Sequence, residues 1–403
     1  MLITINISCE NNRTHPIKLD ISDWDNWIIV DSPCKKKYGK LFGDMTPCAQ
    51  HIKTRAKIIQ IRIIKKIGSE KTNKEKAIQK LKEIAVLSEE SKIARKAIKE
   101  MLRFGEDAID TLHSLLTIYD IEKQTYAAEA IEKLQEKKQI KIPKTTEYIL
   151  KLIKANKTND TLQKQNALNN IIKHNIYEAA PVVFFEIDEY NKNKQLYINA
   201  YLQLEPNALE KILQFLRTET HRQKEPAILL LEAIDPPESL DIACEIVNGF
   251  GIIESVAARI IKKKAKKTDI HKLIDILTQS NYTHSTDCAC ETIIKIYPTE
   301  AQNIFFEYIR NNPNMPDLKK RRIIEHISRN DRNRYEQNPL QVFDDFNPNE
   351  VELLEFLNGI QKNIHYEEQT KKKIIQAITD KLENDLPPHY DPFTTRYILE
   401  RFT

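Results

Sequence analysis

Small and aliphatic residues recur four positions apart inside amphipathic stretches of this chain, at Ala94/Ile98, Ala127/Ile131, Ala167/Ile171, Ala227/Leu231 and Ala289/Ile293. Ile198/Leu202 and Val256/Ile260 are looser versions of the same pair. The first members fall at 94, 127, 167, 198, 227, 256 and 289, and the widest step, from 127 to 167, contains the short insertion 139–143. A near-constant period of about thirty residues marks a solenoid, in which each unit buries its apolar face only against its neighbours. Within each unit the apolar positions repeat at three and four, which predicts two helices per copy.

The predicted pairs are 74–87 with 89–103, 106–118 with 122–137, 145–155 with 160–174, and 178–190 with 192–204. They continue as 207–218 with 221–234, 237–248 with 252–265, 269–279 with 284–296, and 299–311 with 316–329. Pro181, Pro206, Pro236, Pro237, Pro298 and Pro313 fall at starts or breaks, where a missing N–H is tolerated. Pro226 argues that the helix placed at 221 starts nearer 225. Residues 330–349 are polar and read as a loop, followed by a last pair, 350–362 with 367–383.

The first 46 residues differ. Leu2–Ile7 alternates with period two, and Trp27–Val30 is a short β-rich run bounded by turn formers. We read 1–46 as a small β or α+β cap with two or three strands, 47–335 as the repeat array, and 336–403 as an acidic loop, a terminal helix pair and a C-terminal cap. The class is mainly α. A helix is predicted from Pro47 to Ile67, with Thr46 as N-cap and Gly68 as C-cap.

The stretch Asp120–Leu134, DIEKQTYAAEAIEKL, resembles the second helix of a HEAT repeat, with an acidic inter-helix turn leading into a helix rich in small residues. The resemblance runs over roughly 70–335. It implies an α-solenoid whose second helices line the concave side and present the binding surface. It also brings in an enzyme class, the HEAT-like alkylpurine DNA glycosylases, whose aromatic cleft carries tryptophans and a catalytic Asp. Here Trp24 and Trp27 both precede the repeats.

Composition narrows the chemistry. Only 7 of 403 residues are Gly, which argues against glycine-rich phosphate loops and hairpin-dense β folds. Net charge is +4, from 62 Lys and Arg against 58 Asp and Glu, so the whole molecule is not a polyelectrolyte. Six cysteines in so long a chain do not form a disulfide framework. The start, MLITINISCENN, lacks the basic and apolar regions of a signal peptide, and no apolar run reaches a membrane span. Cytoplasmic residence is the expectation, and the Ile/Lys/Asn bias suggests an AT-rich bacterial genome.

Four constellations invite a functional reading. Cys34, Cys48 and His51 are a weak zinc candidate that lacks a paired CxxC knuckle. His284, Cys288 and Cys290 surround a small-residue position and read as packing. Arg259, Lys262, Lys263, Lys264, Lys266 and Lys267 form one basic cluster (259–267), and Lys319, Lys320, Arg321, Arg322, Arg329, Arg332 and Arg334 another (319–334). Such charges suit phosphate binding, although cations at helix C-termini also favour the macrodipole. Asp344 and Asp345 beside Phe343 and Phe346 suggest either an anchor for a basic partner or a pin for the loop.

No catalytic motif or cofactor signature is present in the sequence. The leading expectation is a non-enzymatic protein-binding scaffold, of which a bacterial immunity or antitoxin protein is one concrete form. The alternative is a nucleic-acid-binding protein using the two basic clusters. A HEAT-like glycosylase or protein-modifying enzyme stands third.

Overall fold

Small side chains decide how closely these helices meet. A computed structural model describes residues 2–8, 14–20, 28–31, 61, 64–69, 71–88, 90–138, 140–158, 161–217, 221–249, 251–280, 283–331, 334–346, 348–384 and 390–402. They divide into two compact units, Met1–Ala208 and Leu209–Thr403. The helices are packed as consecutive pairs, and each small-plus-aliphatic pair named above is buried, save for half-buried Leu202. A small residue on a second helix brings its neighbour to the short end of the 8–10 Å range, and the aliphatic residue one turn on fills the layer between them.

In the first unit, β1 (Leu2–Ser8), β2 (Thr14–Asp20) and β3 (Ile28–Asp31) form an antiparallel meander, with Ile5 opposite Ile17 and a register shift at Lys18/Leu19. Most of the helix expected from Pro47 lies outside the described residues, as do Cys34, Cys48 and His51. Residues 64–68 are helical through Gly68, which corrects the expected C-cap. Gly68 is required for space instead: a Cβ there would lie 2.8 Å from Glu100 Cβ.

The hairpins follow as α1 (Lys74–Leu87) with α2 (Ser91–Met101), and α3 (Ile109–Leu116) with α4 (Ile121–Lys138). Next come α5 (Lys144–Thr158) with α6 (Thr161–Lys173), and α7 (Ala180–Phe184) with α8 (Lys194–Leu204). Helix α2 lies against α4, and α6 against α8. Asp120 starts α4 by accepting the N–H groups of Glu122 and Lys123, each at 3.1 Å, which supplies two of the helix's orphan donors with an acceptor.

The stack is not uniformly sequential. The Tyr119 ring packs edge-on against Phe184 at 5.4 Å, and its hydroxyl donates to Glu205 Oε2 at 2.8 Å and lies 3.2 Å from the Tyr201 hydroxyl. The start of α4 therefore meets α7 and α8 directly, past the α5/α6 hairpin. The irregular step in the sequence, 127 to 167, falls at this break.

The second unit begins with α9 (Ala208–Arg217) and α10 (His221–Ile234), which runs through Pro226 instead of starting at 225. Pro226 lacks only the N–H that would have bonded back to residue 222, one turn from the helix start, and Ala227–Leu231 are buried. The pairs α11 (Ser239–Ile246) with α12 (Ile252–Lys264), α13 (Ile270–Gln279) with α14 (Thr283–Ile296), and α15 (Ala301–Asn311) with α16 (Asp317–Asn330) follow. Their second helices stand in one row, α10–α12–α14–α16, which α19 (Glu350–Lys362) extends. Gly359 permits that last contact, because a Cβ there would meet Ser328 Oγ and lie 2.9 Å from the Glu325 carbonyl oxygen. Helices α20 (Glu368–Asn384) and α21 (Pro392–Phe402) close the unit.

The expected loop 330–349 instead holds two short helices, α17 (Arg334–Gln337) and α18 (Gln341–Phe346). Asp331 accepts the N–H groups of Arg334 and Tyr335 and so starts α17. Polar content misled the sequence reading because these polar groups bond one another. Among the described residues no helix is long and apolar enough to cross a membrane.

Candidate functional site

The basic cluster 259–267 sits at the end of α12, and most of it is paired. Arg259 makes a two-pronged contact with Glu232 of α10, both bonds at 2.8 Å. Lys263 and Lys264 converge on Asp235 at 3.0 and 2.8 Å, and Lys264 also donates to the Pro236 carbonyl at 2.7 Å. Lys262 pairs with Glu291 of α14, and Lys267 lies 5.0 Å from the centroid of the Tyr297 ring. Hydrogen bonds from Lys264 and Lys263 hold the Asp235 carboxyl down at about 2. Among these residues only Lys266 has no ion pair or ring contact in the described structure; its backbone N–H donates to Asp269 at 3.0 Å.

The cluster 319–334 is absorbed in part, and its Arg332 lies outside the described residues. Lys319 is buried, donates to the Thr278 carbonyl at 3.1 Å, and has its ammonium pKa lowered by that burial. Lys320 reaches Glu352 of α19 at 3.0 Å, and Arg322 reaches Glu325 at 2.9 Å. Glu325 also takes Lys362 of α19 at 2.7 Å; burial raises its pKa, but Lys362 and Arg322 outweigh it and leave the carboxyl below its ordinary value. His326 meets Asp287 of α14 at 3.0 Å. Arg321 is half-buried with its Nε facing no acceptor among the described residues, and Arg329 is exposed.

In the row α10–α12–α14–α16–α19, ion pairs bridge α10 to α12, α12 to α14 and α16 to α19, and the His326–Asp287 hydrogen bond bridges α14 to α16. The partners lie one repeat apart in sequence, so the charges staple neighbouring hairpins. Exposed pairs of this kind contribute only about 0.2–1 kcal/mol each, but they fix which side chains face one another.

Asp345 is not a surface acid. It is buried, takes Arg334 through two bonds at 2.8 and 2.6 Å, and accepts the Tyr335 hydroxyl at 3.0 Å. The Arg334 guanidinium also lies 4.6 Å from the Phe306 ring centroid. Of the expected acidic and aromatic surface, Asp344 is exposed and Phe343 half-buried, while the Phe346 side chain lies outside the described residues. The network ties this segment to α15 through Arg334 and Asp345.

Cys288 and Cys290 are buried, and His284 is exposed. Burial pushes the Cys288 thiol up to about 11 and Cys290 well above the usual thiol range, which keeps both protonated and poor as ligands or nucleophiles. Among the described residues no three His, Cys, Asp or Glu side chains converge as a metal site.

A different basic surface, unremarked in the sequence reading, lies in the first unit. Lys92, Arg95, Lys96 and Lys99 of α2 and Lys133 of α4 line a groove of about 320 Å³, with Glu129 as the one carboxylate in its lining. Lys96 turns to buried Glu100, and Arg95 sits 3.6 Å from Glu129 and 5.3 Å from the Tyr126 ring centroid. Lys92, Lys99 and Lys133 are exposed and make no ion pair among the described residues. The signal that would have found it is spacing: 92, 95 and 99 on one helix and 126, 129 and 133 on the next each follow i, i+3, i+7, which is one helix face.

No protein-family model matches the chain, and comparison with curated proteins and with solved structures returns no match.

Proposed function

We propose that the chain is a non-enzymatic, HEAT-like binding protein that holds a protein partner against the faces of its second helices. Support for the HEAT-like assignment comes from the small residues buried on successive second helices and from Asp120, which starts α4 from the inter-helix turn. In this reading the strands of 2–31 cap the first hairpin, and the chain works in the cytoplasm. An immunity or antitoxin role, in which a broad surface occludes a toxin, is its specific form.

The observation that carries the proposal is the stapled row of the second unit. Ion pairs and the His326–Asp287 hydrogen bond along the row, from Arg259–Glu232 to Lys362–Glu325, preorganise a surface, and preorganisation lowers the ordering cost of association. The same pairs weigh against phosphate binding at 259–267 and 319–334, because a cation already held by a carboxylate releases few counterions on meeting nucleic acid. Nucleic-acid binding is therefore the second reading, and an enzyme the third.

Purification of the full chain from its own cells tests this. A stoichiometric protein partner that rebinds after separate purification is the expected result. A chain that elutes alone, or with nucleic acid released by nuclease, would overturn the proposal.

A further inference from the structure

The groove between α2 and α4 is built against its own stability. Arg95 and Lys99 stand four residues apart on α2, and Lys92 lies one turn before Arg95, so like charges occupy spacings that destabilise a helix. Lys133 adds a further cation from α4. Between α2 and α4 the ion pair Arg95–Glu129 is long, at 3.6 Å, and Glu129 shares itself with Lys157 of α5 at 3.5 Å. A local conflict without a structural gain is where a binding function is expected.

Resting on the protein-binding reading above, we propose that this groove seats an acidic segment of the partner, with carboxylates on Lys92, Arg95, Lys99 and Lys133 and an apolar side chain against Tyr126 and Leu102. The guanidinium of Arg95 is the group suited to a two-pronged carboxylate contact. Tyr and Arg side by side also make the commonest kind of interface anchor.

Three features favour a polypeptide over a phosphate backbone. The cation stripe does not continue onto α6, the second helix of the following hairpin, which exposes Gln165, Asn166 and Asn169 at its surface. Along the axis, Lys92 to Lys99 covers only about 10 Å at 1.5 Å per residue, short for a strand-tracking groove. Glu129 stands in the lining, where it repels phosphate but can accept a peptide N–H.

The test uses the purified full chain and three fluorescent probes: a short Glu/Leu peptide, a Gln/Leu peptide of equal length, and a single-stranded oligonucleotide. The Glu/Leu peptide binds at low salt and the Gln/Leu peptide does not. The triple variant K92E/K99E/K133E weakens binding by at least about tenfold, while K372E/K373E, at exposed lysines of α20, leaves it unchanged. Circular dichroism verifies folding, and Lys92→Gln, Lys99→Gln and Lys133→Gln together give a milder variant should the reversal unfold. The assignment is overturned by a Glu/Leu peptide that does not bind, by a triple variant that binds it equally well, or by an oligonucleotide that displaces it. A co-purified partner that the triple variant still holds would sink the groove but leave the binding-protein reading standing. Absence of any partner would sink that reading, and the peptide assay would still decide the groove.

Discussion

Both units pair many of their cations with carboxylates, yet the groove between α2 and α4 of the first unit and the helix row of the second differ in how many cations are left over. In the second unit Arg259, Lys262, Lys263, Lys264, Lys320 and Lys362 each reach a carboxylate, in most cases on the next helix of the row. In the first, Lys92, Lys99 and Lys133 crowd one groove around Glu129. A groove of about 270 Å³ in the second unit is lined by Lys295, Arg329 and Glu291, and there Lys295 donates to the Lys262 carbonyl while Glu291 pairs with Lys262. The difference teaches that charge density along a sequence does not show which cations stay unpaired. The proposed groove rests on charge left without a partner after the helices have packed.

The comparison can be broken most forcefully at the C-terminal lock. Asp345→Ala removes a buried carboxylate from Arg334 and Tyr335, and the expected loss is about 3 kcal/mol in urea denaturation, since an uncompensated charge is left behind. Next in size, Gly359→Ala forces a methyl onto Ser328 and the Glu325 carbonyl between α16 and α19. Overpacking at such a site costs about 1–3 kcal/mol, and a melting temperature unchanged from the native chain would show that α19 can move aside.

Acid titration gives a third handle. A carboxyl whose folded pKa lies below its unfolded value stabilises the fold fully above the unfolded value, and that contribution disappears as pH falls through the folded one. For Asp235 the window runs from the ordinary 3.8 down to about 2. Stability of the second unit should drop across it, and Asp235→Asn should flatten the curve there. Glu325 acts in the same direction, from the ordinary carboxylate range downward.

The smallest effects sharpen the contrast. Glu232→Ala releases the exposed Arg259 and should cost less than about 1 kcal/mol. Replacing Lys92, Lys99 and Lys133 by Gln should change stability by no more than about 0.5 kcal/mol, or raise it slightly, because like-charge repulsion is relieved. A clear loss in that variant would mean these cations hold the fold after all.

Much of the architecture was legible before any coordinates. The buried pairs from Ala94/Ile98 to Ala289/Ile293 set the helix faces, since a period near four and its repetition about every thirty residues leave one way to bury the apolar side. Local chemistry near chain breaks was less reliable. Gly68 looked like a cap and proved a point of close approach, Pro226 looked like a start and lies inside α10, and the polar stretch after 330 folds because Asp331 and Asp345 find partners. The clusters at 259–267 and 319–334 were visible as composition, whereas their neutralisation was not.

By itself the sequence determined that helices form, which face of each is apolar, and that they come in hairpins of nearly constant length, because these depend on periodicity within a few turns of chain. Tertiary structure alone decided which charges remain unpaired. The carboxylate that meets Lys262 is Glu291, a full repeat away, and whether it arrives depends on the axial register of two packed helices. A shift of one turn, about 5 Å, would have separated that pair, and the spacing of cations within a single helix carries no information about that shift.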